Sequence, residues 1–269
     1  MFTSPQLLID RHEHTVVLTL NRPERRNALG LELMVALADA WQMCDDDPTV
    51  RAIILTGANG TFSSGSDLKE NQMGQRDAET AKLLARFKDE PRLHWKALLR
   101  EFSPKAPLIA AVEGPALGGG TEILQGTDIR VAGKSALFGV TEAVLGLFPL
   151  GGSTVRLRRQ IGSARAAEML FTGRRVDAET AERWGLINRV VDDGKALEAA
   201  LEMADQIAAC GPLAVRAIKA SFRAGDGLSE AEALVIEEEL GSPVNFESED
   251  AKEGVRAFFE KRKPVFQGR

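Results

Sequence analysis

Runs of β-branched and aliphatic residues alternate along this chain with segments whose apolar positions recur every three or four residues. The run TVVLTLN (15–21), ended by Arg22-Pro23, predicts a strand followed by a turn. Met34, Leu37, Ala38 and Trp41 then share one helical stripe, stopped by Asp45-Asp46-Asp47-Pro48, with Asn27 placed to cap that helix. VRAIILT (50–56) predicts a second buried strand, closed by Gly57-Ala58-Asn59-Gly60. The small-residue loop TFSSGSDLKE (61–70) leads into a helix for which Ser66 or Asp67 is a suitable cap. The segment 77–102 reads as helical, broken or kinked at Pro91.

After Pro107, Ile109 to Glu113 reads as the end of a buried strand. A Gly114-Pro115 break follows, then three consecutive glycines, then Thr121 and Glu122 in the first turn of a helix. DIRVA (128–132) and Ala136 to Phe138 are short strand signals, and Thr141 is a plausible cap with Glu142 just inside the turn. LGLFPLGGSTVRL (145–157) is a Gly- and Pro-rich loop that starts a basic helix, Asp177 to Trp184 a further helix, and Leu186 to Val191 a strand. From Lys195 onward the pattern is helical almost throughout. The rhythm therefore predicts an α/β fold of repeated strand–strand–helix units. Its division is an α/β core over 1–194 and a C-terminal helical region over 195–269.

Composition narrows the class of protein. The 269 residues are 44% hydrophobic and 27% charged, ordinary for a globular chain, and no apolar run approaches the ~20 residues that cross a bilayer. The N-terminal segment lacks a basic stretch followed by an apolar core, and Cys44 and Cys210 lie far apart without metal-type spacing. A cytoplasmic protein with reduced thiols, no membrane partner and no bound metal is expected. A formal net charge of −5 argues against a nucleic-acid partner. With three histidines and no tyrosine, proton chemistry falls to carboxylates unless His12, His14 or His94 is recruited. His94 sits in a helical segment and reads as a satisfied or surface residue.

Familiar glycine motifs fail on inspection. Gly133-Lys134-Ser135 would need a glycine at 128, where Asp128 stands, to close a phosphate-binding loop. Gly118 and Gly120 begin a dinucleotide fingerprint whose third glycine falls on Ile123, and Val155 spoils a nucleophile elbow near Gly151-Gly152. What remains is two small-residue turns after buried strands, 63–67 and 114–120, and two glutamates, Glu122 and Glu142, that follow the second. Glycine runs discard stabilising side chains, which a fold tolerates where something must approach the backbone. Backbone N–H groups at such turns can stabilise an oxyanion; losing one such donor typically costs roughly 2.7–4 kcal/mol of barrier. Two carboxylates in different environments can divide acid and base roles. A glutamate in a first helical turn is also favourable through the helix dipole alone.

Together, TGANGTFSSGSDLKE (56–70), IAAVEGPALGGGTEI (109–123) and FGVTEAVLGLFPLGG (138–152) resemble the enoyl-CoA hydratase/isomerase (crotonase) superfamily. NRPERRNAL (21–29), the 170–191 segment ending in Gly185-Leu186…Val191, and AFFEKRKPVF (257–266) resemble its other segments in the right order. The resemblance implies a superhelix of strand–strand–helix units with a C-terminal helical region that assembles a homotrimer or hexamer. It implies an acyl-CoA enzyme of fatty acid metabolism that needs no cofactor, the coenzyme A thioester being the substrate. It carries an oxyanion hole onto the amides of Ser66 and Gly119, and the acid–base pair onto Glu122, mainly for water activation, and Glu142, mainly for proton donation. The CoA-binding positions fall on Arg26, Ala28, Ser64, Ser66, Asp67, Leu68, Leu117 and Gly119, with Phe258 and Lys261 often serving a neighbouring subunit. Reversible hydration of a 2-enoyl-CoA is the activity implied first. The alternatives are Δ3-Δ2 isomerisation or another acyl-CoA lyase reaction in the same site, and a non-catalytic scaffold or nucleic-acid-binding role. The chain departs from the family pattern at Ser66, where alanine is common, at Ser153, where glycine is common, and in the length of the 71–103 segment.

Overall fold

The computed structural model describes residues 3–72 and 78–269, so residue 77 of the expected 77–102 helix lies outside the described residues. Strands β1 (Leu7–His12) and β2 (Thr15–Leu20) form an antiparallel hairpin, followed by helix α1 (Leu31–Asp46) and strand β3 (Ala52–Gly57). Helices α2 (Leu68–Gln72), α3 (Ala78–Asp89) and α4 (Leu93–Ala97) come next, the break between the last two falling around Pro91. The chain continues through β4 (Leu108–Val112), β5 (Pro115–Leu117), α5 (Gly119–Leu124), β6 (Ile129–Gly133) and β7 (Leu137–Gly139). Helices α6 (Ser153–Ile161) and α7 (Ser163–Thr172) precede β8 (Val176–Asp177), α8 (Ala178–Trp184) and β9 (Arg189–Val191). The C-terminal region is α9 (Ala196–Ala208), α10 (Pro212–Ala224), α11 (Glu230–Phe246) and α12 (Glu249–Glu260).

Strands β1-β2-β3-β4-β6-β9 make one sheet, parallel from β2 onward, and β5-β7-β8 make a second. Strands β2, β3 and β4 of the larger sheet are covered on both faces, which is why they are continuous apolar runs rather than alternating ones. On one face Leu18, Ile53, Leu55 and Ala110 join Leu33, Leu37 and Trp41 of α1 in the main core. Trp41 is fully buried and donates its indole N–H to the Ala97 carbonyl at 3.0 Å, tying α1 to α4. On the other face Val17, Ile54, Ile109 and Ala111 pack against Ala196, Ala200 and Ala204 of α9. Alanines at that spacing leave no protruding side chain, so the helix lies close to the sheet.

Strands β4 and β6 of the large sheet are each followed by a short one in the smaller sheet and then a helix, as β4-β5-α5 and β6-β7-α6. Successive turns stack in parallel: β3, β4 and β6 pair in one sheet, while Ser63 bridges Ala116 and β5 pairs with β7 in the other. The Pro115–Leu117 stretch, legible in the sequence only as a break before the glycines, is thus a strand. Asn27 does not cap α1, whose N-cap is Gly30. Its buried side chain instead accepts from the Arg22 N–H and donates to the Ala58 and Thr61 carbonyls, joining two loops. Asp67 resolves the open choice at α2 by accepting the N–H groups of Lys69 and Glu70.

Candidate active site

The stacking of the turns sets the geometry of the glycine segments. Ser63 pairs with Ala116, so Ser66 and Gly119, three residues beyond each, occupy corresponding places on adjacent turns. A Cβ built on Gly119 would lie 3.6 Å from the Ser66 amide nitrogen. Among the described residues, neither the Ser66 nor the Gly119 N–H donates to another protein group. The approach is possible only without side chains: a Cβ on Gly65, which has φ +90°, would lie 2.7 Å from the Leu117 carbonyl oxygen. Gly118 has φ 53° and ψ −126°, a conformation essentially reserved for glycine. Behind them the Thr121 hydroxyl donates to the Ala116 carbonyl at 2.5 Å and accepts the Gly139 N–H at 3.1 Å, locking α5 to β5 and β7.

Both glutamates reach this place, in different surroundings. Glu122, 4% exposed, points from α5 to the start of α6, where its Oε1 accepts the Ser153 N–H at 3.2 Å. Burial raises its pKa, and hydrogen bonds from Ser153 and Gly151 oppose the rise. A Cβ on Gly151 would fall 2.6 Å from Glu122 Oε2, so that glycine permits the contact. Glu142 follows β7 on a short 3-10 turn, and its Oε1 lies 3.0 Å from where a Gly118 Cβ would be. Among the described residues, its buried Oε2 has no hydrogen-bond partner. Burial first, and the charge of Glu122 second, push the Glu142 carboxyl up from 4.5 to about 7.

Ser64, Ser66, Leu68, Gly118, Glu122 and Glu142 line one cavity of about 600 Å³. Met34, Phe87, Trp95, Leu98, Leu147, Phe148 and Leu150 supply most of its remaining, apolar wall. The 25–28 loop runs beside it: Arg26 is exposed and takes φ 51°, its carbonyl accepting the Ser64 N–H at 3.0 Å, while Ala28 is buried. The Asp67 carboxylate is committed to Arg25 at 2.6 Å, Arg22 at 3.1 Å and the α2 cap, leaving only its backbone for a ligand. Leu117 accompanies the glycines without lining the cavity, and Phe258 and Lys261 lie on and just after α12, away from it and with Phe258 78% exposed. Among the described residues there is no cluster of three or more His, Cys, Asp or Glu suited to a metal.

His94, expected from its helical setting to be a satisfied or surface residue, is half-buried and forms part of the cavity wall. Buried Arg130 is a second feature the sequence conceals. Its guanidinium donates to the carbonyls of Leu124, Thr127 and Leu186 and to Gln160, joining the end of α5 to α6 and the turn after α8. Burial lowers its pKa to about 10.

A mixed α/β superhelix with two glycine turns and two glutamates around one cavity defines a class that comparison then specifies. Residues 10–269 match the family model described as enoyl-CoA hydratase/isomerase. The chain belongs to this family of enzymes. It is similar to enoyl-CoA hydratase EchA19 of Mycobacterium tuberculosis, 51% identical over 99% of this chain and 98% of that one. It is also similar to the 2,3-dehydroadipyl-CoA hydratase of Escherichia coli, 36% identical over 98% and 99% of the two chains. The crystal structure of an enoyl-CoA hydratase from Bacillus anthracis superposes with a TM-score of 0.88 at 35% identity, covering 98% of this chain and 100% of that one.

Proposed function

We propose that this protein is an enoyl-CoA hydratase that adds water reversibly to a 2-enoyl-CoA thioester. The observation that carries this reading is the pairing of two undonated backbone amides with two carboxylates of different environment around one cavity. In the proposed complex the thioester oxygen accepts the Ser66 and Gly119 N–H groups, and these hold the negative charge that builds there as the conjugated system is attacked. Glu122, whose Oε1 accepts the Ser153 N–H, takes a proton from water as the water oxygen bonds to the β-carbon. Glu142, whose pKa near 7 keeps much of it protonated, delivers a proton to the α-carbon. The proton on Glu122 returns to Glu142 through solvent, so each turnover consumes one water. The reaction is redox-neutral and needs no cofactor.

Arg26, Ala28, Ser64, Asp67, Leu68 and Leu117 would border the CoA moiety. The same reading makes the enzyme a cytoplasmic homotrimer or hexamer. Exposed Phe222, Phe246, Phe258 and Phe259 on the C-terminal helices support self-assembly, and Phe258 and Lys261 would then serve a neighbouring subunit. Among the described residues no helix is long and apolar enough to cross a membrane. Incubation with a panel of 2-enoyl-CoA thioesters should lower the conjugated-enoyl absorbance of at least one of them toward an equilibrium value; unchanged absorbance at high enzyme overturns the reading. Conversion of a 3-enoyl thioester without hydration of the 2-enoyl isomer would indicate the isomerase instead.

A further inference from the structure

We propose that His94 is a specificity residue of the acyl pocket, its imidazole hydrogen-bonding an oxygen that the acyl group carries beyond the reacting double bond. The favoured thioesters are then oxygenated acyl groups rather than plain hydrocarbons. The inference rests on the cavity being the acyl-CoA site proposed above. Its ground is a polar ring set into an otherwise apolar wall. His94 lines the cavity beside Met34, Phe87, Trp95 and Leu98. The ring is held by aromatic neighbours, with the Trp95 centroid 3.9 Å away and that of Phe87 6.5 Å away. Among the described residues no protein group hydrogen-bonds either ring nitrogen. A hydrocarbon chain packed over those nitrogens would strip their water and return nothing, a loss of the kind that disfavours unpaired polar groups.

The surrounding charge selects the partner. Burial, together with Arg92 and Arg100, lowers the His94 pKa, so the ring is neutral at pH 7 and offers one N–H donor and one acceptor nitrogen. Arg92 is engaged by Glu101. Arg100 sits over the Trp95 ring, 4.3 Å from its centroid, and has no ion-pair partner among the described residues. The charges acting on the ring itself are therefore positive, with Glu122 and Glu142 elsewhere in the same cavity. They favour a hydroxyl or carbonyl oxygen receiving the imidazole N–H.

The test is equilibrium binding of short, medium and long saturated acyl-CoAs and of their ω-hydroxy counterparts, which reads the wall without requiring turnover. In at least one length class the hydroxylated thioester should bind about three- to tenfold more tightly than the plain one, the range expected for one hydrogen bond. His94→Leu, which keeps an apolar wall, should erase that difference, and His94→Gln, which keeps a donor and an acceptor, should restore part of it. No preference in the unmodified protein, or a preference that survives in His94→Leu, overturns the proposal. Hydration of a 2-enoyl-CoA is followed on the same preparations. A His94-dependent preference without hydration would sustain the specificity role and overturn the hydratase reading alone.

Discussion

The Ser153 N–H donates to Glu122 Oε1 at 3.2 Å, while no group among the described residues donates to the buried Oε2 of Glu142. One carboxylate thus faces the positive end of α6, and the other faces the cavity and the charge of the first. The difference is what the proposed division of the two glutamates into a base and an acid rests on.

Glu122→Gln and Glu142→Gln should each lower the hydration rate by about 10²-fold or more, the range for loss of a positioned acid or base. Thioester binding should persist in both. Assays on 2-enoyl and 3-enoyl thioesters check this, because an isomerase that moves one proton would tolerate one of the two changes.

With Glu142 in the proposed acid role, hydration should fall as pH rises through about 7, where its carboxyl deprotonates. The high-pH limb of a kcat/KM profile reports that group in the free enzyme. Glu142→Gln should remove that limb from whatever activity remains.

The same shift couples to stability. Between the unperturbed 4.5 and about 7 the folded protein binds more protons at Glu142 than the unfolded chain does. Unfolding free energy therefore declines as pH rises through that window and stays lowered above it. Glu142→Gln, which cannot ionise, should melt at a higher temperature than the parent at pH 8, the gap narrowing toward pH 5. Melting curves of the two proteins across this range measure it.

Gly118→Ala should reduce activity strongly while leaving a folded protein. The φ of 53° and ψ of −126° strain an L-residue by about 1–3 kcal/mol, and the new Cβ would press on Glu142 Oε1 at 3.0 Å. The paired measurement is kcat against Tm: a modest Tm decrease with kcat reduced by at least about tenfold is expected from a displaced acid.

Arg130→Met should destabilise without touching the cavity. It removes the guanidinium donor from the Thr127 and Leu186 carbonyls, at about 1–3 kcal/mol for each group left unsatisfied in the interior, whereas the Leu124 carbonyl keeps the Thr127 N–H and hydroxyl. Urea denaturation should show a clear fall in midpoint.

The strand and helix rhythm, the glycine turns and the two glutamates were legible in the chain itself. Aliphatic runs, helical stripes and turn glycines act within a few residues, so Ile53 to Thr56, the α1 stripe and Gly118 to Gly120 declare themselves locally. The 21–29 loop was legible only as a motif. Asn27 resembles a cap in sequence, and its real work, joining the Ala58 and Thr61 carbonyls, depends on a loop far along the chain.

Three further features belong to the tertiary structure alone. Ser66 and Gly119 become neighbours because Ser63 pairs with Ala116 across stacked turns, a register no local pattern encodes. The carboxyl groups part because α6 presents its first N–H groups to Glu122 and not to Glu142, and burial acts on each according to what surrounds it. His94 enters the cavity wall because packing turns its helix that way, whereas periodicity could not say what the polar side of that segment would face. The chain by itself determined which groups were available for chemistry. Their adjacency and protonation follow from contacts and desolvation between distant segments, which exist only once the turns are stacked.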